Sequence, residues 1–200
     1  MTVETLLALT ALAFASTWTP GPNNILLANS GAIFGFRPTL PHALGVALGF
    51  PLMLFLLSLG LGEAFARSEA LREGLRWVGV VVLLWLGWRI ATARRARGGA
   101  GRGRPFTFAE AAAFQWVNPK AWAMAVSTAA AFSTGAAPLR EAALFAAVFV
   151  LSGLTSANGW AAFGAALRRA LSSEPRLRAF NALMGGLIGL CALYLALAKF

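Results

Sequence analysis

The residues best suited to chemistry in this chain sit inside apolar runs. "TPGPNN" (Thr19 to Asn24) interrupts the first long apolar stretch, and "WVNPK" (Trp116 to Lys120) interrupts the fourth. Pro20, Pro22 and Pro119 donate no backbone hydrogen bond and Gly21 tolerates angles that other residues avoid, so each stretch unwinds a helix. Unwinding frees carbonyls at the end of one half-helix and N–H groups at the start of the next. The new N-terminus carries a partial positive charge that can hold a carboxylate. Asn23, Asn24 and Asn118 add uncharged donors and acceptors. Lys120 adds a cation about eleven residues into an apolar segment, a costly position that marks function by default. It could pair with a carboxylate ligand or with half-helix carbonyls. Two plainer readings stay open: a kink that only eases packing, and a helix that begins later, so that Lys120 snorkels to the interface.

The elements that carry these residues must be membrane helices. Of the 200 residues 58% are hydrophobic and only 12% charged, with a mean hydropathy of +0.70. That charged share is about half of what soluble domains carry. Six segments approach the roughly 20 apolar residues of a spanning helix. They are Val3 to Phe34 (too long for one straight span, and divided by TPGPNN), Leu40 to Leu61, Leu75 to Ala93, Ala109 to Phe132, Ala142 to Leu167 and Phe180 to Ala198. Small residues recur along them, as in "GVALGF" (Gly45 to Phe50) and "GGLIGL" (Gly185 to Leu190), and allow close helix approach. None alternates as an outer-membrane strand does. The fold class is therefore an all-α integral membrane protein with six transmembrane helices.

The net charge of +10 does not point to nucleic acid, because most of the arginines cluster in short loops, as suits the headgroup region. Arg37, Arg89, Arg94, Arg95, Arg97, Arg102, Arg104, Arg168, Arg169, Arg176 and Arg178 fall on one side; Arg67, Arg72, Arg76, Arg140 and Lys199 fall on the other. The positive-inside rule places the first set in the cytoplasm and both termini outside. The N-terminus has no basic residue before Arg37 and so lacks a signal peptide's n-region. The segment "RRARGGAGRGRP" (Arg94 to Pro105) lacks the Gly-Lys-Ser/Thr ending and preceding strand of a phosphate-binding loop. It belongs to a basic linker, 94–108, inside one transmembrane domain spanning 1–200. Three spans per half is an odd number, so half-repeats of about 1–93 and 109–200 would be inverted, with helices 1 and 4 broken alike.

Other polar residues within the segments are Asn29, Gln115, Ser127, Thr128, Ser152, Thr155, Ser156 and Asn158. Most serve as interhelical glue; Asn158 is also a candidate binding residue. His42, the sole histidine, and Lys120 are candidates for proton coupling, since a buried ammonium or an imidazole can release its proton. Glu4, Glu63 and Glu110 lie near segment ends. Trp77, Trp85, Trp88 and Tyr194 read as interfacial or packing aromatics. The single Cys191 excludes an internal disulfide. Nothing in the sequence asks for a metal or cofactor.

The chain resembles the LysE/RhtB family of amino-acid exporters over nearly its whole length. The likeness rests on "TPGPNNILL" (Thr19 to Leu27), "GVALGF", "VVVLLWLGWRI" (Val80 to Ile90), "FQWVNPKAWAMA" (Phe114 to Ala125) and "FNALMGGLIGL" (Phe180 to Leu190). The resemblance implies efflux of amino acids or close derivatives across the inner membrane, driven by the proton motive force. It also implies an amino-acid partner in the bilayer; a homo-oligomer stays open. Many relatives carry Asp where Asn23 and Phe50 stand, and this sequence has no Asp at all. A buried cationic side chain needs a fixed partner, so the cargo is expected to be neutral. Asn23, Asn24, Phe50 and "SANGWAAFG" (Ser156 to Gly164) look most like the branch that exports cysteine and O-acetylserine.

Two other classes compete. An intramembrane hydrolase could use Ser152 before Gly153, but Val150 replaces the glycine of that pattern and His42 would be the only histidine base. A non-transporting membrane scaffold also uses apolar helices, yet leaves the paired breaks unexplained.

Overall fold

Helix boundaries follow the prolines, glycines and caps of the sequence. The computed structural model describes residues 1–93 and 104–197. The helix α1 (Val3–Trp18) starts where the Thr2 side chain accepts from the Thr5 N–H, and it stops at Thr19, ahead of Pro20. The helix α2 (Pro22–Phe34) follows an extended Gly21. At Gly35 φ is 89°, which glycine takes without strain, and the turn launches α3 (Phe36–Leu56). An irregular turn (Leu57–Leu61) and the short α4 (Gly62–Arg67) lead to α5 (Glu69–Ala91), capped by Ser68. A capping box of Thr107 and Glu110 opens α6 (Phe108–Phe114). After a tight turn (Gln115–Val117) come α7 (Pro119–Phe132), α8 (Pro138–Leu167) and α9 (Glu174–Leu197).

Both expected breaks are present, at 19–21 and around Asn118. Several helices start earlier than hydropathy suggests: at Phe36, Glu69, Pro138 and Glu174. Their first turns carry charge, which suits a headgroup region but ends an apolar run. Among the described residues, four helices are long and apolar enough to cross a membrane: Phe36–Leu61 (counted through the irregular turn), Glu69–Ala91, Pro138–Leu167 and Glu174–Leu197. The other two segments are the broken ones. A 16-residue α1 is only about 24 Å long, short of the roughly 30 Å hydrocarbon core. Most of the basic linker, including Arg94, Arg95, Arg97 and Arg102, and also Lys199 lie outside the described residues.

The helix α8 packs on α1, α2 and α3, while α5 packs on α9 and α6 on α3. Small residues make these approaches close. A Cβ at Gly164 would stand 2.0 Å from the Ala28 carbonyl oxygen, and one at Gly31 would stand 2.2 Å from that of Ala161. Gly45 and Gly49 bring α3 close to α6, where an added Cβ would stand 2.4 Å from the Phe108 carbonyl oxygen and 2.6 Å from Ala112 Cα. Because backbone blocks the space at Gly164, Gly164→Val must push α2 from α8. It is expected to cost about 3 kcal/mol or more, read as a lower melting temperature in detergent. Buried Asn181 accepts from Asn29 Nδ2 at 3.0 Å and donates to the Ala93 carbonyl at 3.0 Å, tying α9 to α2 and to the end of α5. Asn29 is thus glue as expected; Asn181 is a member of that tie that its place in a helix turn of mixed polarity hid. Trp77, Trp85, Trp88 and Tyr194 are exposed on the outer surface, with Arg76 over Trp77 and Arg89 over Trp85.

Candidate functional site

The unwound end of α1 leaves carbonyls that need donors, and three side chains supply them. Asn24, at the first turn of α2, donates through Nδ2 to the Thr17 carbonyl at 2.8 Å and to the Thr19 carbonyl at 2.9 Å. Ser156 of α8 donates to the same Thr17 carbonyl at 2.7 Å. Lys120 of α7 donates to the Thr19 carbonyl, to Thr19 Oγ1 at 2.9 Å and to the Pro20 carbonyl at 3.5 Å. Lys120 therefore does not snorkel away. It bridges the two breaks, 101 residues apart in sequence.

The two half-helix N-termini differ. Asn118 caps α7, its Oδ1 accepting from the Lys120 N–H at 3.1 Å. Gly21 has no side chain to cap α2, and Pro22 has no N–H. The N–H groups of Asn23 and Asn24 belong to the first turn of α2, where a helix offers them no acceptor. The start of α2 is thus the better anion site, and Asn118 serves its own helix. Asn118→Ala is expected to cost about 1 kcal/mol as a lost cap, seen as a lower melting temperature that Asn118→Asp largely restores.

A second bridge joins the breaks. Asn23 Nδ2 donates to Gln115 Oε1 at 2.8 Å, and Gln115 Nε2 returns a bond to Asn23 Oδ1 at 3.3 Å and another to the Ala111 carbonyl at 2.8 Å. Gln115 is fully buried. The sequence marks it as polar glue; its position next to the break makes it part of the site.

These groups surround a cavity of about 50 Å³, lined by Gly21, Asn23, Asn24, Gln115, Asn118 and Lys120, with Ser156 from α8. Its far wall is apolar: Phe50 lies there, its ring edge-on to Phe149 with centroids 5.2 Å apart. Among the described residues, Lys120 is the only ionisable side chain lining it.

Not every candidate arrives at this cavity. Pro20, Pro22 and Pro119 line a different cleft toward α9. Asn158 donates to the Leu154 carbonyl of its own helix at 2.8 Å and does not line the cavity. Two residues turn a helix through about 200°, so Ser156 faces the site and Asn158 does not. His42 is buried, shares a hydrogen bond with Ser30 Oγ at 3.2 Å and stacks near Phe106; it lines neither cavity. Ser152 Oγ donates to the Phe149 carbonyl of its own helix. Glu63 pairs with Arg67, and Glu110 pairs with Arg104 at 2.7 Å, both away from the cavity.

A family model described as LysE type translocator matches residues 14–199. The cysteine/O-acetylserine efflux protein of Salmonella typhimurium (strain LT2) is 37% identical to this chain over 121 residues, 60% of this chain and 61% of that protein. The protein of the same description from Escherichia coli (strain K12) is 36% identical over the same lengths. The match spans about three fifths of the length of these curated relatives. No solved structure gives a significant match. The chain belongs to the LysE type translocator family.

Proposed function

We propose that this LysE type translocator exports small neutral amino acids or their derivatives, such as cysteine, O-acetylserine, homoserine or threonine, across the inner membrane. The observation that carries the reading is the charge content of the cavity among the described residues: one ammonium, Lys120, beside an uncapped helix start, with no carboxylate lining it. An ammonium with donor N–H groups fits a substrate carboxylate. A neutral amino acid brings one α-ammonium, which the amide oxygens of Asn23 and Gln115 can accept from. A cationic side chain would add a second positive charge with no such partner, and a buried unpaired charge is costly. The substrate-binding set is Gly21, Asn23, Asn24, Gln115, Asn118, Lys120 and Ser156. The names of the relatives support the cysteine and O-acetylserine class.

The broken segments, with four full helices, make six crossings in two inverted halves joined by the basic linker. Packing of α3 on α8 and of α5 on α9, each the counterpart of the other in the two halves, supports that symmetry. The termini lie outside, and the proton motive force drives export with Lys120 as the proton carrier at the cavity. His42, away from it, is structural.

Cells fed dipeptide sources of the candidate amino acids test this. Wild type is expected to release cysteine or O-acetylserine faster than cells without it, and a protonophore should remove the difference. Absence of efflux for every amino acid would favour a membrane scaffold. Asn23→Leu removes both bonds to Gln115 that join the breaks; export, read as initial efflux normalised to protein in the membrane, should fall about tenfold, the equivalent of about 1.4 kcal/mol.

A further inference from the structure

Pro51 sits inside α3. It has no N–H to donate to the carbonyl four residues back, that of Ala47, and its ring crowds that carbonyl. Among the described residues, no donor outside α3 reaches the Ala47 oxygen. In a bilayer a carbonyl freed in this way is tolerated only where it faces protein or a wet cavity. Ala47 and Pro51 both line the cavity between the breaks.

Opposite this carbonyl stands Gly153 of α8, which lines the same cavity. A Cβ there would stand 3.3 Å from the Ala47 oxygen, so the missing side chain leaves that oxygen uncovered. Gly153 lies three residues before Ser156, about 4.5 Å along the helix. Ser156 in turn holds the Thr17 carbonyl at the broken end of α1. The freed carbonyl thus faces α8 less than one turn from the residue that meets the break.

Resting on the export reading above, we propose that the Ala47 carbonyl receives the α-ammonium of the exported amino acid, while Lys120 and the start of α2 receive its carboxylate. An ammonium has three N–H groups to place. The amide oxygens of Asn23 and Gln115 each already accept one bond from the other's amide, whereas Pro51 leaves the Ala47 oxygen without its helix donor. The two charges of an amino acid share one carbon, so partners on α3 and at the break can hold both together. A carbonyl accepts from a cation without bringing a charge of its own, which suits a cavity with no carboxylate among its described lining. The site then selects for a free α-amino group and leaves the side chain to the apolar wall of Phe50 and Phe149.

Two variants close this acceptor by different routes. Pro51→Ala restores the N–H, so that the Ala47 carbonyl is paired within α3. Gly153→Ala covers the same oxygen with a methyl group and leaves the sequence of α3 untouched. The ligands are O-acetylserine and 3-acetoxypropionate, the same molecule without its α-amino group. Binding of each to purified protein is read from the rise in melting temperature with ligand concentration. Each variant should weaken O-acetylserine about tenfold, as for one hydrogen bond to a charged group, and the analogue by no more than about twofold. The variants act through different helices, so one that fails to fold leaves the other to decide. Unchanged O-acetylserine binding in a folded variant, or equal losses for both ligands, overturns the assignment. Wild type that neither binds nor exports any amino acid overturns the export reading and the assignment together. Wild type that exports, with both ligands weakened alike in the variants, overturns the assignment alone.

Discussion

Lys120→Ala is expected to lower export at least about thirtyfold at normal expression, the equivalent of about 2 kcal/mol. The ammonium makes three contacts, to Thr19 twice and to Pro20 once. It also supplies the only charge on the cavity wall among the described residues. Losing it removes the bridge between the breaks together with the proposed partner of the substrate carboxylate. Lys120→Arg keeps the charge, but a planar fork does not fit the position of a compact ammonium, so recovery should be partial. The measurement is initial efflux from loaded cells, normalised to the amount of protein in the membrane. Efflux by Lys120→Ala equal to wild type would remove Lys120 from the site.

Asn24→Ala should be the second severe loss. Its amide holds the Thr17 and Thr19 carbonyls with both of its N–H groups, and the residue is buried. Each carbonyl keeps one other donor, Ser156 for Thr17 and Lys120 for Thr19. The cost to folding is therefore two ordinary hydrogen bonds, about 2 kcal/mol, without the larger penalty of orphaned groups. The protein should still reach the membrane, with a lower melting temperature. Export should nonetheless be lost, because Asn24 sets how the end of α1 meets the start of α2, and that junction is the proposed anion site. Asn24→Asp should do no better: it keeps the size but has no N–H to offer the carbonyls. Normal export by Asn24→Ala, with the melting temperature reduced, would separate the junction from transport.

Much of this arrangement was legible in the sequence because proline and glycine act locally. TPGPNN had to end one helix and begin another, and the structure places the change at residues 19–21. The same reasoning found the second break at Asn118-Pro119. Lys120 was legible because a cation in an apolar run is expensive wherever the fold puts it. The partners of these residues were not legible. Nothing local says that Gln115 bonds Asn23, that Ser156 shares a carbonyl with Asn24, or that Asn158 turns back to its own helix. Those facts depend on how α2, α7 and α8 are rotated against one another, and small residues such as Gly31 and Gly164 fix that rotation through contacts far apart in sequence. The early starts of α5 and α9 were hidden for another reason: apolarity ends at the headgroups, whereas backbone hydrogen bonding continues past them.

The central claim is that a cavity lined, among the described residues, by one ammonium and no carboxylate carries a neutral amino acid across the membrane. Counterflow in vesicles containing only the purified protein tests it most directly. Vesicles loaded with unlabelled O-acetylserine should take up labelled O-acetylserine transiently and well above protein-free vesicles, and unlabelled lysine inside should not support that uptake. Counterflow supported equally by lysine, or none with any neutral amino acid, would contradict the account.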